Sequence, residues 1–378
     1  MLKRYLISLL TLTILIASFS VIHADDETYS PTYSYVLMEG NTSTLLYSDN
    51  GEATVPAHHS AKLMTLLLVM ESIDRGELTF ETVLKTSNYA NSMQGAQIWL
   101  MPNEEITVDE LIKAITVGNA NDACVVLAEA VGETEEKFVA LMNQRANVLG
   151  MVGTYYADCT GISPESVTTA CDCAILASAL THYDVLVPYF TTWVTSVRGG
   201  KTELASTNRL ILTYTGVTGM KAYYSDALGN CVIAAAERDG LKMVCVIFGE
   251  KDEFQRFTTA KEKMNTGFSA YTLYQPKRTD IYTEPVTVAG GETTEVETEL
   301  AELKSFVVRK SQEDKIEISV EYFEGVTAPL EKGGIVGRAI YSIDGEEIYS
   351  CPIIARERVR KMNIFIGFSR IIRSIIRM

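Results

Sequence analysis

Positive charge is in short supply: 33 Lys and Arg stand against 48 Asp and Glu, leaving the 378-residue chain at −15. A nucleic-acid-binding body needs a basic face, so that class of function is excluded. Histidine is scarcer still, with four in the chain: His23, His58, His59 and His182. Low-complexity tracts and internal repeats are absent. So is an even cysteine count, because seven thiols cannot all pair within one chain. Most of them sit in apolar surroundings such as "VGNANDACVVLAEA" and "LKMVCVIFGE", so buried free thiols are expected rather than a disulfide framework. Cys171 and Cys173 fall on an expected helix, where residues two apart point about 200° from each other at roughly 3.6 residues per turn. Such a pair chelates poorly, and neither a metal nor a cofactor is expected.

What is present is length enough for two or three domains with a sizeable core. Both ends address a membrane. Met1–Ala24 has a basic start, a long apolar run and Ala24 before "DDE", the pattern of a signal peptide or N-terminal anchor. Residues 356–378 hold seven Lys/Arg against one Glu, a local +6, so the remainder carries −21. Within them Ile364, Phe365, Phe368, Ile371, Ile372 and Ile375 recur at three- and four-residue spacing, while Arg370, Arg373 and Arg377 share the opposite face. That pattern predicts an amphipathic helix lying on an anionic membrane surface.

Between the ends, Ser34–Leu37 and Thr44–Tyr47 are expected strands. Lys62–Arg75, Val108–Val117, Ala120–Val131, Thr134–Leu149, a segment from Pro164 to Leu180, and Lys261–Tyr274 are expected helices. Thr107 and Glu110 have capping-box spacing. "NRLILTY", "CVIAAAERDG" and "LKMVCVIFG" are expected strands, the last two forming a hairpin about Asp239-Gly240. A helical middle framed by early and late strands predicts an α/β body over residues 30–275 whose distant segments share one sheet. From Pro276 the chain turns Thr/Glu/Val-rich with period-two alternation, predicting a small all-β domain over 276–355.

Three long stretches resemble the penicillin-binding serine D-Ala-D-Ala carboxypeptidases, the low-molecular-mass penicillin-binding proteins. They are "SYVLMEGNTSTLLYSDNGEATVPAHHSAKLMTLLLVMESIDRGEL", the block from "GAQIWLMPNEEITVDELIKAI" to "YYADCTGI", and "TNRLILTYTGVTGMKAYYSDALGN" through "DEFQRFTTAKEKM". The resemblance covers about Tyr33–Tyr274. It implies the β-lactamase/penicillin-binding-protein-like transpeptidase fold, followed by the β domain and the C-terminal amphipathic helix. It also implies export, with action at the outer face of the cytoplasmic membrane or the cell wall.

The family's chemistry rests on three motifs, and each is altered here. Ser-x-x-Lys at a helix start puts a nucleophile one turn from its base. Lys62 is in register, but His59 stands at the nucleophile position, and Ser60, two residues from Lys62, should face elsewhere. In the family's Ser-x-Asn, the serine relays a proton and the asparagine holds the substrate amide. Asn119 and Asn121 stand there, and a carboxamide does not relay a proton as a hydroxyl does. Both asparagines would equally serve as helix caps. In Lys-Thr-Gly, the threonine grips the substrate carboxylate and the glycine leaves room for its backbone. Here the strand reads Lys221-Ala222-Tyr223, without the hydroxyl and with a side chain where the substrate would lie.

Together these changes predict a carboxypeptidase-family protein that is impaired or inactive, binding a peptidoglycan stem peptide or a cell-wall protein. The alternative is an active enzyme using Ser60 with Lys62 as base. A third reading places a metal on His58 and His59 with help from Asp49 or Glu52.

Overall fold

A computed structural model of the chain describes residues 33–363. The expected export segment and residues 364–378 of the expected amphipathic helix lie outside the described residues. Strands β1 (Ser34–Glu39) and β2 (Thr44–Asp49) open the body. Helices α1 (Ala61–Asp74), α2 (Val108–Thr116), α3 (Asn121–Gly132), α4 (Glu135–Leu149) and α5 (Ala170–Leu180) follow. Strands β3 (Val217–Ser225), β4 (Gly229–Arg238) and β5 (Leu241–Glu250) precede α6 (Gln255–Ala270).

The five strands form one antiparallel sheet in the order β2-β1-β5-β4-β3, so β1 pairs with β5 from the far end of the domain. Asp239 and Gly240 both have positive φ, the geometry of a two-residue turn that matches strand twist, and they close β4 onto β5 with Arg238 opposite Leu241. One sheet face packs on α5 and, behind it, on α1. That helix is apolar on every side and buried along most of its length, as a core helix must be. The other face is covered by α6.

Several expected boundaries move, each for a local reason. The Pro164 helix begins at Ala170 instead, where the Thr169 hydroxyl accepts from Asp172 N at 3.0 Å, and Val167–Thr168 pairs with Val55–Pro56 as a short ladder. "NRLILTY" is not a strand. Asn208 Oδ1 accepts from Leu210 N at 3.1 Å and starts one helical turn, Leu210–Thr213. Thr107 caps α2 by accepting from Glu110 N at 3.2 Å, but the Glu110 carboxylate meets the Thr107 hydroxyl and Arg198 N instead of closing the box on the Thr107 amide. All seven cysteines are unpaired and buried, and Cys171 and Cys173 face different partners, Ser48 and Thr168.

The expected helix Lys261–Tyr274 spans Gln255–Ala270, and its last four residues form strand β6 (Tyr271–Tyr274). That strand pairs with β8 (Phe306–Arg309), after β7 (Thr298–Leu300), so the chain enters the β-rich region several residues before Pro276. Strands β9 (Glu317–Tyr322), β10 (Ile335–Ile343) and β11 (Glu346–Ala355) complete a sheet in the order β7-β11-β10-β9. Residues 356–363 are not helical. Val359 is fully buried in the core of the β domain and bridges Leu330, and Lys361 bridges Gly291. Among the described residues no single helix is long and apolar enough to cross a membrane.

Candidate functional site

The site forms where the start of α1, the start of α3 and the strand β3 converge. A single 3-10 turn, His58–Ser60, leads into α1. It leans on the 158–163 loop, where Gly161 sits at φ +79 so close beneath that a Cβ would come within 1.8 Å of His58 O. Only glycine fits there. Asp158 shapes the loop by accepting from the amides of Thr160 (2.7 Å), Gly161 (2.5 Å) and Ser163 (2.8 Å). Burial works against its charge, but these bonds prevail and hold the carboxyl below the usual carboxylate range. The loop thereby presents Thr160 O to the Lys62 ammonium at 2.5 Å.

On the opposite wall Lys221 donates to Asn119 Oδ1 at 2.7 Å, to Thr116 O at 3.3 Å and to Ile115 O. The last two carbonyls end α2, where the helix dipole favours a cation. Asn119, at φ 56, also hydrogen-bonds the His59 side chain. The His59 ring lies on that of Tyr223, centroids 5.0 Å apart and planes 8° from parallel. Asn121 opens α3 and donates to Gln94 O at 2.6 Å, its own Oδ1 buried without a partner. The structure therefore brings His59, Lys62, Asn119, Asn121, Lys221 and Tyr223 together.

Ser60 and Ala222 are not part of this group. The Ser60 hydroxyl is fully buried and donates to Ala57 O at 2.5 Å, close to Cys173 rather than to the lysines. Ala222 packs with Val232, Ala234 and Met264 on the α6 face of the sheet. Asp49 and Glu52 give His58 and His59 no metal site. Among the described residues no three His, Cys, Asp or Glu side chains gather as a cluster that could hold a metal.

Electrostatics follow from burial. Lys62 and Lys221 are each 2% exposed. Burial lowers the pKa of both, and Lys62 pushes Lys221 further, down to about 7. Burial and the two ammonium groups push His59 down to about 3, against the opposing Asn119 bond, so the imidazole is neutral at pH 7. No carboxylate orients it among the described residues, and its Nδ1 is buried and unpartnered. A neutral, unactivated imidazole beside two cations lacks the partners that make a nucleophile.

The site is also narrowed, with His59 and Asn119 keeping partial exposure. Tyr223 is 4% exposed, and its ring fills the space between β3 and the start of α1. The outer wall is fastened by groups that sequence reasoning did not single out. Arg256 donates to Tyr223 O at 2.6 Å, and Thr207 donates to Ala222 O at 2.5 Å. Asp122, buried at the start of α3, accepts from Ile98 N (3.2 Å) and Leu100 N (3.1 Å) and pins the 94–101 segment over Asn121. The Gly in "DCTGI" was a usable signal for the Thr160 loop. Nothing local marks Arg256 or Thr207.

The model described as D-alanyl-D-alanine carboxypeptidase matches residues 23–252, and that of the penicillin-binding protein 5 C-terminal domain matches residues 268–361. D-alanyl-D-alanine carboxypeptidase DacF of Bacillus subtilis is 32% identical over 89% of this chain and 87% of its own length. DacC of Escherichia coli is 27% identical over 88% of the chain and 85% of its own length. Penicillin binding protein 5 of Haemophilus influenzae superposes with a TM-score of 0.78, covering 88% of this chain and 98% of that one. At 21% identity, that likeness speaks for the fold alone.

Proposed function

This chain belongs to the D-alanyl-D-alanine carboxypeptidase family of low-molecular-mass penicillin-binding proteins, and from that premise we propose that it is a catalytically silent member that binds at the cell wall without cutting. Its partner is a peptidoglycan stem peptide or a cell-wall protein. Export and attachment of the basic C-terminal segment to the outer face of the cytoplasmic membrane belong to the same reading.

The single observation that carries it is the Tyr223 ring stacked on His59 above two buried lysines. The position that needs a hydroxyl has an imidazole, and the space that needs a substrate backbone has a phenol. Neither lysine faces a group it could deprotonate, since Lys62 is spent on Thr160 O and Lys221 on the end of α2. Use of Ser60 is disfavoured because its hydroxyl would have to leave Ala57 O and turn out of a fully buried position. Incubation of the full chain with a fluorescent penicillin tests this directly. No covalent label is expected, whereas label that disappears in Ser60→Ala would establish an active Ser60 enzyme.

A further inference from the structure

Outside this cleft, behind Tyr223, an open cavity of about 660 Å³ runs between the 193–209 segment, the end of β3 and the loop before α6. Its aromatic surface comes from Trp193, which is half-buried, and Tyr224, which is 61% exposed. An exposed tyrosine on the strand that carries Lys221 is not needed for packing.

Polar groups interleave with these rings. Asn230 is fixed through its Nδ2, which donates to Glu250 O (3.1 Å) and Lys251 O (3.3 Å), leaving its Oδ1 acceptor unused among the described residues. Asp252 accepts the amides of Phe254 (2.8 Å) and Gln255 (2.9 Å) with one oxygen and keeps the other free. The Arg209 guanidinium lies over the Phe254 ring, 4.7 Å from its centroid, and the residue is exposed.

We propose that this groove binds an oligosaccharide of N-acetylated amino sugars. A pyranose ring presents a C–H face that packs on an aromatic plane and a rim of hydroxyls that both donate and accept. A half-buried tryptophan and an exposed tyrosine beside planar carboxamide, carboxylate and guanidinium groups match both features. Cationic Arg209, Lys251 and Arg256 are nearly balanced by Asp252 and Glu253, so the lining does not select a polyanion. An open groove with a largely polar lining is also unlike the dry apolar channel that an apolar peptide would need. The choice of amino sugar rests on the wall-associated reading above. The groove itself does not depend on whether the cleft is silent.

The chain has two tryptophans, Trp99 and Trp193, so in a full-length Trp99→Phe protein the emission reports Trp193 alone. Titration with the β-1,4-linked tetramer of N-acetylglucosamine should give a saturable change in that emission. Tyr224→Ala, at a solvent-exposed position, should weaken binding by about tenfold, and Tyr224→Phe should retain it, because the ring face and not the hydroxyl makes the contact. Three results overturn the proposal: no saturable response by emission or calorimetry, unchanged affinity in Tyr224→Ala, or a response to a D-Ala-D-Ala peptide only. Equal affinity for maltotetraose overturns the amino-sugar choice. Penicillin labelling of the same sample reads the silent-cleft reading separately.

Discussion

Lys221 and Ala222 are neighbours on β3, yet they project into opposite surroundings. Ala222 lies in the hydrocarbon layer beneath α6, among Val232, Ala234 and Met264, where no polar group needs a partner. Lys221 turns to the α1 side, where a second amine, Lys62, is buried with it and, among the described residues, no carboxylate side chain hydrogen-bonds either. Charging two buried amines side by side should be costly, and main-chain carbonyls offset part of that cost. Thr160 O holds one, and the last carbonyls of α2 hold the other. The lesson is that lysines at the family's motif positions also act as structural ties. Lys221 fastens β3 to α2, and Lys62 fastens α1 to the Asp158 loop.

The sharpest way to break this contrast is to restore the cleft face. The combined replacement His59→Ser, Asn119→Ser, Ala222→Thr and Tyr223→Gly should turn an unlabelled protein into one that reacts with penicillin. A nucleophile alone is worth many orders of magnitude in such sites. His59→Ser by itself should remain unlabelled, since Tyr223 still fills the cleft. Labelling is read on a gel and located by peptide mapping.

Next in size is the plug itself. Tyr223→Ala removes a buried ring from between β3 and α1 and should lower unfolding stability by about 3–4 kcal/mol, measured by urea titration. Tyr224→Ala, one residue on and exposed, should change it by less than about 0.5 kcal/mol.

Titration separates the two faces further. Lys221 has a folded pKa of about 7 against 10.5 when free. Between these values the unfolded chain binds more protons, so this group adds stability as pH rises from 7 toward 10. Buried thiols such as Cys124 and Cys231, raised by burial, act in the opposite sense near pH 9. The informative quantity is therefore wild type minus Lys221→Met, which should grow by about 2 kcal/mol between pH 7 and 9. On the acid side His59, at about 3 when folded and 6.5 when free, loses stability as pH falls below 6.5. His59→Phe, which keeps a ring on Tyr223, should flatten that part of the curve. More modestly, Ser60→Ala should cost about 1 kcal/mol for its bond to Ala57 O and leave penicillin reactivity unchanged.

Much of this was legible in the chain. The apolar runs of β4 and β5, the Asp239-Gly240 turn and the apolar face of α1 follow from local physics that tertiary structure does not override. The positions of His59, Lys62, Asn119, Asn121 and Lys221 followed from the family resemblance. What escaped was set by distant partners. "NRLILTY" is as apolar as a strand, and one bond from the Asn208 side chain turned it into a helical turn. Tyr271–Tyr274 continues a helical pattern, but its pairing with Phe306–Arg309 pulls it straight. That Tyr223 would close the cleft by lying on His59, held from behind by Arg256, depends on residues more than thirty positions apart.

The central claim is that a cleft filled by Tyr223 and lacking a nucleophile does no peptidase chemistry. It is tested most directly by incubating the full chain with a peptide ending in D-Ala-D-Ala and measuring free D-alanine, with Lys62→Met as the matched control. The account predicts no release above that control. Release that depends on Lys62 would contradict it.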